Sequence, residues 1–243
     1  MRTVGSGFLG QNLAAIASRH PDAVVFAAGP SSGASTETSD FDREAVRLRE
    51  TLAHCTTSGE RLVYISTASA GLYGRAEPVS RESGPARPES PYGQHKLRME
   101  DIVAKADPAH LTVRLAYPVG RRQPAHQLVP ALVANIRSGK VKVLSGARRD
   151  LIDAADFVRT VDSLLDARVT GVVNVGSGHP VPVSELVAEL EKRLGITATI
   201  ELVASPADPR ICTEKLRQLV PAVADFGFGA DYFRQVLDRY VLR

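Results

Sequence analysis

Along this chain, short aliphatic and β-branched runs alternate with stretches whose apolar residues return every three or four positions. The first pattern suits strands buried on both faces and the second suits amphipathic helices. Their alternation predicts βα units around a parallel sheet. The predicted strands are Met1–Val4, Ala23–Ala27, Arg61–Ser66, Leu111–Leu115 and Gly171–Val175. The predicted helices are Phe8–Arg19, Phe41–His54, Gly93–Ala106, Leu128–Arg137, Ala155–Ala167 and Ser184–Leu194. On the second helix Phe41, Ala45, Leu48 and Leu52 share a face, with Ser39 or Asp40 as N-cap. On the last, Leu186, Val187, Leu190 and Leu194 form the stripe and Gly195 ends it. Loops 29–39 and 76–91 collect turn formers, and long polar loops in α/β proteins often bind or cover a ligand.

A length of 243 residues with 44% hydrophobic and 23% charged residues fits one full-sized α/β core with a small appended lobe. The expected division is a nucleotide-binding core of residues 1–117 and 149–175 and a substrate lobe of 118–148 and 176–243. No apolar run reaches the roughly 18 residues of a membrane span. No signal-peptide pattern opens the chain and the first motif starts at Gly5, which places the protein in the cytoplasm. Net charge is +3, the basic residues are scattered and aromatics are only 5%, so nucleic acid has no support as a partner. Cys55 and Cys212 are far apart and the six histidines do not cluster, so no metal is expected.

The chain opens Gly5-Ser6-Gly7-Phe8-Leu9-Gly10, a G-x-G-x-x-G run between a predicted strand and a predicted helix. Glycines there permit a tight turn, let backbone N–H groups approach a pyrophosphate and allow close helix–sheet packing. The helix start would hold the pyrophosphate. An acidic residue about 20 positions on usually grips the adenosine ribose. Here that region reads Ala27-Ala28-Gly29-Pro30-Ser31-Ser32, with neither acid nor arginine, so NAD and NADP are not separated.

A second group of residues carries acid/base chemistry. The strand ending Ser66-Thr67-Ala68-Ser69 places hydroxyls where open α/β sheets bind ligands. After the polar loop come Tyr92 and Lys96, four apart and on one helix face. An ammonium beside a phenol favours the phenolate, so the Tyr92 pKa is expected to fall toward the working range of a general acid/base. Ser69 would hydrogen-bond the reacting carbonyl or alcohol.

With these motifs in place, the chain resembles the extended short-chain dehydrogenase/reductases, the nucleotide-sugar epimerase/dehydratase family. The resemblance runs through Gly7-Phe8-Leu9-Gly10, Val24–Gly29, Ser69…Tyr73-Gly74, Pro91-Tyr92…Lys96, Arg114–Gly120, Arg149–Asp153 and Asn174–Gly178. It implies a Rossmann-like, doubly wound parallel sheet. It implies Tyr92 as acid/base, Lys96 also holding the nicotinamide ribose, and Ser69 and Ala70 beside the substrate. It implies a cofactor site of Gly5–Gly10, Ala27, Ala28, Gly29, Ser66, Thr67, Tyr92, Lys96, Tyr117, Pro118 and Val119. Arg149 matches an arginine that meets substrate phosphate, Arg210 is a weaker second candidate for the substrate lobe, and the helices at 41–54 and 92–106 match a homodimer bundle.

Three departures shape the expected function. One helix alone separates Gly10 from Ala27 where the family has two further strands, so a βαβ unit is missing and the adenosine side loses a wall. Ala70 and Gly71 stand where 4,6-dehydratases carry an acidic pair, which rejects dehydration. Tyr117 replaces a common asparagine, which argues against a nucleotide diphosphate on the substrate. The reading is an NAD(P)H-dependent ketoreductase of a ketosugar or similar cyclic ketone, with NADPH favoured for a reductase and deoxysugar or aminoglycoside-type metabolism as the setting. The alternatives are an epimerase that retains NAD and a non-catalytic NAD(P) sensor.

Overall fold

The computed structural model describes residues 1–30 and 38–241. Nine α-helices are seen among them: α1 (Phe8–Leu13), α2 (Thr38–Ser58), α3 (Ala70–Tyr73), α4 (Pro91–Ala104), α5 (Leu128–Arg137), α6 (Ala154–Asp166), α7 (Val183–Leu194), α8 (Glu214–Leu219) and α9 (Tyr232–Tyr240). The strands are β1 (Arg2–Val4), β2 (Ala23–Phe26), β3 (Arg61–Thr67), β4 (Val79–Ser80), β5 (His110–Leu115), β6 (Tyr117–Val119) and β7 (Lys140–Leu144). They continue with β8 (Arg148–Arg149), β9 (Leu151–Asp153), β10 (Gly171–Val175), β11 (Val181–Pro182), β12 (Thr199–Val203) and β13 (Arg210–Ile211). Loop residues 31–37, part of the turn-rich segment 29–39, lie outside the described residues.

All five predicted strands form one sheet in the order β1-β2-β3-β5-β10, with every neighbouring pair parallel. Alternate residues face opposite sides. Val25, Val63, Ile65, Val113 and Val173 pack under Leu13, Ile16, Phe157 and Val161, together with Leu216, Val223 and Phe226 from the later chain. Val24, Phe26, Leu62 and Tyr64 pack under Leu48, Leu52 and Cys55 of α2 and Met99 and Val103 of α4. Helices therefore cover both faces, as a doubly wound sheet requires.

The strand order, however, runs in one direction, with β1 at an edge. A Rossmann order of 3-2-1-4-5-6 stripped of its second and third strands likewise leaves strand 1 at an edge with the later strands following in one direction. The β1–α1–β2 and β2–α2–β3 crossovers step the same way along the sheet, yet α1 and α2 lie on opposite faces. The two crossovers consequently have opposite hands, and one departs from the strong right-handed rule. This is the geometric trace of the missing unit inferred between Gly10 and Ala27.

Where the first predicted helix was one element, the chain makes six α-helical residues and then a 3₁₀ segment, Ala14–Arg19. Its Asn12 side chain donates to the Phe8 carbonyl oxygen at 2.7 Å, a local competitor of the helical ladder. A separate apolar core joins α5, β7, α7 and α9 through Leu132, Ile136, Val141, Val143, Leu186, Leu190, Phe233 and Val236. It sits beyond β6 and β9, which pair parallel near the carboxyl ends of the sheet strands. No described helix is long and apolar enough to cross a membrane, and no metal-capable cluster of His, Cys, Asp or Glu occurs among the described residues.

Candidate active site

At the carboxyl ends of β2, β3 and β5 lies a cavity of about 500 Å³. Its lining includes Gly7, Phe8, Leu9, Ala27, Gly29, Ser66, Thr67, Ser69, Tyr92, Lys96, Tyr117, Pro118 and Arg149. Residues from the glycine turn, the serine-rich strand end and the Tyr–Lys helix thus meet in one place. Gly7 is exposed and a Cβ there would meet nothing within 4 Å, which leaves an open cradle over the turn. Gly10 instead packs inward, where a Cβ would stand 2.2 Å from the Gly5 carbonyl oxygen. These residues fit the nicotinamide and phosphate portions of a dinucleotide. Gly5, Ser6, Gly10, Ala28 and Val119 do not line the cavity, and Val119 is buried in the second core.

Ser69 caps α3 and Ser90 caps α4, accepting from the Gly93 N–H at 3.0 Å with Pro91 at the first helical position. The two helices meet at backbone distance: a Cβ on Gly93 would stand 1.8 Å from the Gly71 carbonyl oxygen. That contact sets Tyr92 opposite Ser69. The Tyr92 and Ser69 hydroxyls have no hydrogen-bond partner among the described residues, and both side chains are half-buried at the cavity. Ser66 also lines it, but its hydroxyl donates to Glu100. Glu100 in turn holds Arg114 side-on, with Nη2 at 2.7 Å, and Arg114 donates to the Tyr73 hydroxyl at 2.9 Å. Tyr73 donates to Asn174 at 2.6 Å, so Ser66 and Arg114 belong to a buried spine and not to the ligand surface.

Lys96 does not reach the Tyr92 hydroxyl. Its Nζ lies 5.8 Å from the Tyr92 ring centre and donates to Glu44 Oε1 at 2.8 Å and to the Tyr64 hydroxyl at 3.3 Å. The expected fall in the Tyr92 pKa is overturned. Burial pushes the phenol above its ordinary value, Lys96 lowers it only in part, and Glu44 and Tyr117 add to the rise. Burial would also raise Glu44, but Lys96 and the hydrogen bonds from His95 and Lys96 outweigh it and hold its carboxyl at about 2. Because Glu44 is depressed from an ordinary 4.5, its stabilising contribution is complete above that value and lost as pH falls toward about 2. The stability gap between wild type and Glu44→Gln should therefore close through that acid window, as denaturant unfolding along a pH series would record. A constant gap would refute the linkage.

Arg149 faces the cavity with its guanidinium 5.0 Å from the Tyr117 ring centre, and it donates to Asp208 Oδ2 at 2.6 Å. Arg75 donates to the other Asp208 oxygen at 3.0 Å. Arg210 is not brought to Ser69. It is exposed on β13 and lines a neighbouring cavity of about 910 Å³ with Arg75, Arg148, Arg234 and Asp208. Ala70 lines neither cavity.

A model of the NAD dependent epimerase/dehydratase family matches residues 6–176. The chain belongs to that family. A curated relative, dTDP-6-deoxy-L-talose 4-dehydrogenase (NAD(P)(+)) of Kitasatospora kifunensis, is 34% identical over 207 residues, 76% of this chain and 63% of the relative. The chain thus spans under two thirds of that relative's length. Among solved structures, UDP-N-acetylglucosamine 4-epimerase from Bacillus cereus superposes with TM-score 0.77 at 19% identity, over 96% of each chain. A dTDP-4-dehydrorhamnose reductase from Clostridium acetobutylicum gives 0.76 at 16% identity, over 98% of this chain and 97% of that one. At such identities these likenesses establish the α/β fold alone.

Glu44, Tyr64 and His95 escaped the sequence reading, as did Gln123, His126 and Gln127 at the cavity wall. Glu44 had left a signal: an acid three residues after Phe41, between that residue and Leu48 on the apolar stripe of α2. The Gly71–Gly93 contact and Asp208 had none.

Proposed function

We propose that the chain is an NAD(P)H-dependent reductase of a ketosugar carried on a nucleoside diphosphate. The observation behind it is the pair of hydroxyls, Ser69 and Tyr92, without a hydrogen-bond partner among the described residues and opening into one cavity beside the Lys96 ammonium. A sugar carbonyl placed between them accepts two hydrogen bonds. The nicotinamide, when bound, supplies hydride to the carbonyl carbon. Tyr92 gives its proton to the oxygen and Ser69 orients that oxygen, while Lys96 would hold the nicotinamide ribose.

Position 71 supports reduction over dehydration. A Cβ there would lie 2.8 Å from Ser90 Oγ, so the tight α3–α4 junction leaves little room for an acidic side chain. The arginine-lined cavity beyond Asp208 suits a diphosphate, since planar guanidinium groups pair well with phosphate oxygens. The nucleotide-linked substrate in the relative's name agrees with that choice, although Tyr117 had argued against a nucleotide. The homodimer rests on resemblance alone, because the outer face of α2 carries Arg43, Arg47 and Glu50 with Val46 as its exposed large apolar residue.

The deciding experiment offers NADH or NADPH with matched ketosugars, free and nucleotide-linked, and follows nicotinamide absorbance. The expected result is oxidation of the cofactor, with kcat/KM favouring the nucleotide-linked ketone by about 10²–10⁴-fold if two charge-assisted contacts of about 1.5–3 kcal/mol each are gained. Isomer interconversion without net absorbance change would make the protein an epimerase. Tight cofactor binding with silence across the panel would make it a sensor.

A further inference from the structure

Lys96 is the only cation that the structure sets beside Tyr92 among the described residues, and an acid meets it from behind. Glu44 comes from α2, 52 positions earlier in the chain, and its side chain is 1% exposed. Its Oε1 accepts from Lys96 and from the Tyr64 hydroxyl, and its Oε2 accepts from His95 Nε2 at 2.8 Å. His95 is itself stacked on Phe41 with ring centres 4.3 Å apart. Three elements, α2, β3 and α4, therefore converge on one carboxylate. The turn after β2 completes the enclosure, because a Cβ on Gly29 would lie 2.4 Å from Glu44 Oε2. Gly29 also lines the cavity, so the carboxylate sits directly beneath the cavity floor.

A helix stripe that needs only packing would carry a hydrophobe at this position. A buried carboxylate is costly unless paired and fully hydrogen-bonded, and here every described neighbour that could satisfy it does so. What the arrangement changes is the field at Tyr92. A lone ammonium 5.8 Å from the ring would draw the phenol toward phenolate. A carboxylate 2.8 Å behind that ammonium turns the point charge into a short dipole, whose field falls off faster.

We propose that Glu44 is the positioning residue of this site, holding Lys96 from behind and cancelling its charge so that Tyr92 stays protonated and serves carbonyl reduction as an acid. This rests on the reductase reading and deepens it, since it biases the site toward giving a proton to an oxygen. The groups facing the pair are few. Lys96 and His95 lie on α4 with Glu100, Tyr64 comes from β3, Glu44 from α2, and Tyr117 from β6 under Arg149. Glu100 is already paired with Arg114, and Tyr117 is uncharged as a phenol. Glu44 is thus the anion that sets the balance of the pair.

The test titrates the Tyr92 phenolate by ultraviolet absorbance, taken as the difference from protein carrying Tyr92→Phe, in wild type and in Glu44→Gln. The midpoint should fall by about 1–3 pH units when Glu44 is neutralised, the size an uncompensated neighbouring charge produces. An unchanged or higher midpoint overturns the proposal, because Lys96 would then act on Tyr92 equally with and without the Glu44 charge. The titration needs no substrate, so a wild type that ignores every ketosugar sinks the reductase reading while leaving this result legible. Where turnover is found, the alkaline limb of kcat/KM for reduction should move down by the same interval in Glu44→Gln. Glu44→Asp, which keeps the charge on a shorter arm, should restore the midpoint to near wild type while kcat stays reduced. Should Glu44→Gln fail to fold, Gly29→Ala reads the same property by pushing the carboxylate away from Lys96. Its phenolate midpoint should also fall, and an unchanged midpoint with the fold intact overturns the proposal equally.

Discussion

Replacing Tyr92 by phenylalanine should lower kcat by about 10²–10⁴, the usual worth of a positioned general acid, while cofactor affinity and folding stability stay close to wild type. The substitution removes one oxygen and nothing else that the fold uses. That oxygen has no partner among the described residues, so its loss orphans no buried donor or acceptor. The ring stays to wall the cavity and to face the Lys96 ammonium, which Glu44 and Tyr64 continue to hold. Stopped-flow nicotinamide absorbance measures the chemical step and fluorescence titration measures cofactor binding. Undiminished turnover would remove Tyr92 from the chemistry, and lost cofactor binding would assign it a different role. The wild-type pH dependence carries a matching sign. Burial raises the phenol, so reduction, which needs the protonated form, should persist through neutral pH and decline only on the alkaline side. Oxidation of the alcohol, which needs the phenolate, should grow as pH rises.

Gly93→Ala should be the most damaging single methyl in the site. A Cβ at that position lies 1.8 Å from the Gly71 oxygen, 2.4 Å from its carbonyl carbon and 2.9 Å from the Leu72 nitrogen. All three are backbone atoms, and the Gly71 oxygen already accepts from the Glu89 N–H at 3.1 Å, so no flexible side chain can yield. Helix α4 must withdraw from α3. Overpacking of this kind costs about 3 kcal/mol, which for a chain of this size lowers Tm by about 6–12 °C. Tyr92 and Lys96 move with α4 while Ser69 stays with α3, and a misplacement of about 1 Å costs on the order of 10² in rate. Calorimetry and kcat measured well below Tm separate the two effects. A variant with wild-type Tm would show that the helices part more easily than their backbone contact implies.

The residues legible in advance were those whose meaning is local. The alternation of apolar runs identified all five strands of the central sheet, because a strand buried on both faces must be apolar along its whole length. Helix Leu128–Arg137 was bounded to the residue by its stripe and its flanking polar positions. Tyr92 and Lys96 could be paired because four residues make one helical turn, and Gly7 could be read because the turn between a strand and a helix limits which residues fit. The count of residues between Gly10 and Ala27 foretold a missing βαβ unit, since too little chain exists there for one, and β1 accordingly stands at the sheet edge.

Charge balance was not legible, and it altered the chemistry. Lys96 was read one helical turn from Tyr92 with the wrong sign for the phenol, because the carboxylate that answers Lys96 stands 52 residues away. Ser66 looked available until the packing of α4 against β3 and β5 brought Glu100 to its hydroxyl. Arg149 and Arg210 were both read as substrate-binding, but β13 pairs with β4 and carries Arg210 to the second cavity, with Asp208 left holding Arg149. By itself, then, the sequence determined the elements, the glycine turn between β1 and α1, and the placement of Tyr92 and Lys96 one helical turn apart, all set by contacts within a few residues. Only the tertiary structure decided the hand of the first crossovers, the helix approach at Gly71 and Gly93, and the neutralisation of Lys96. Those depend on burial and on the electrostatics of groups distant in the chain, which no local pattern records.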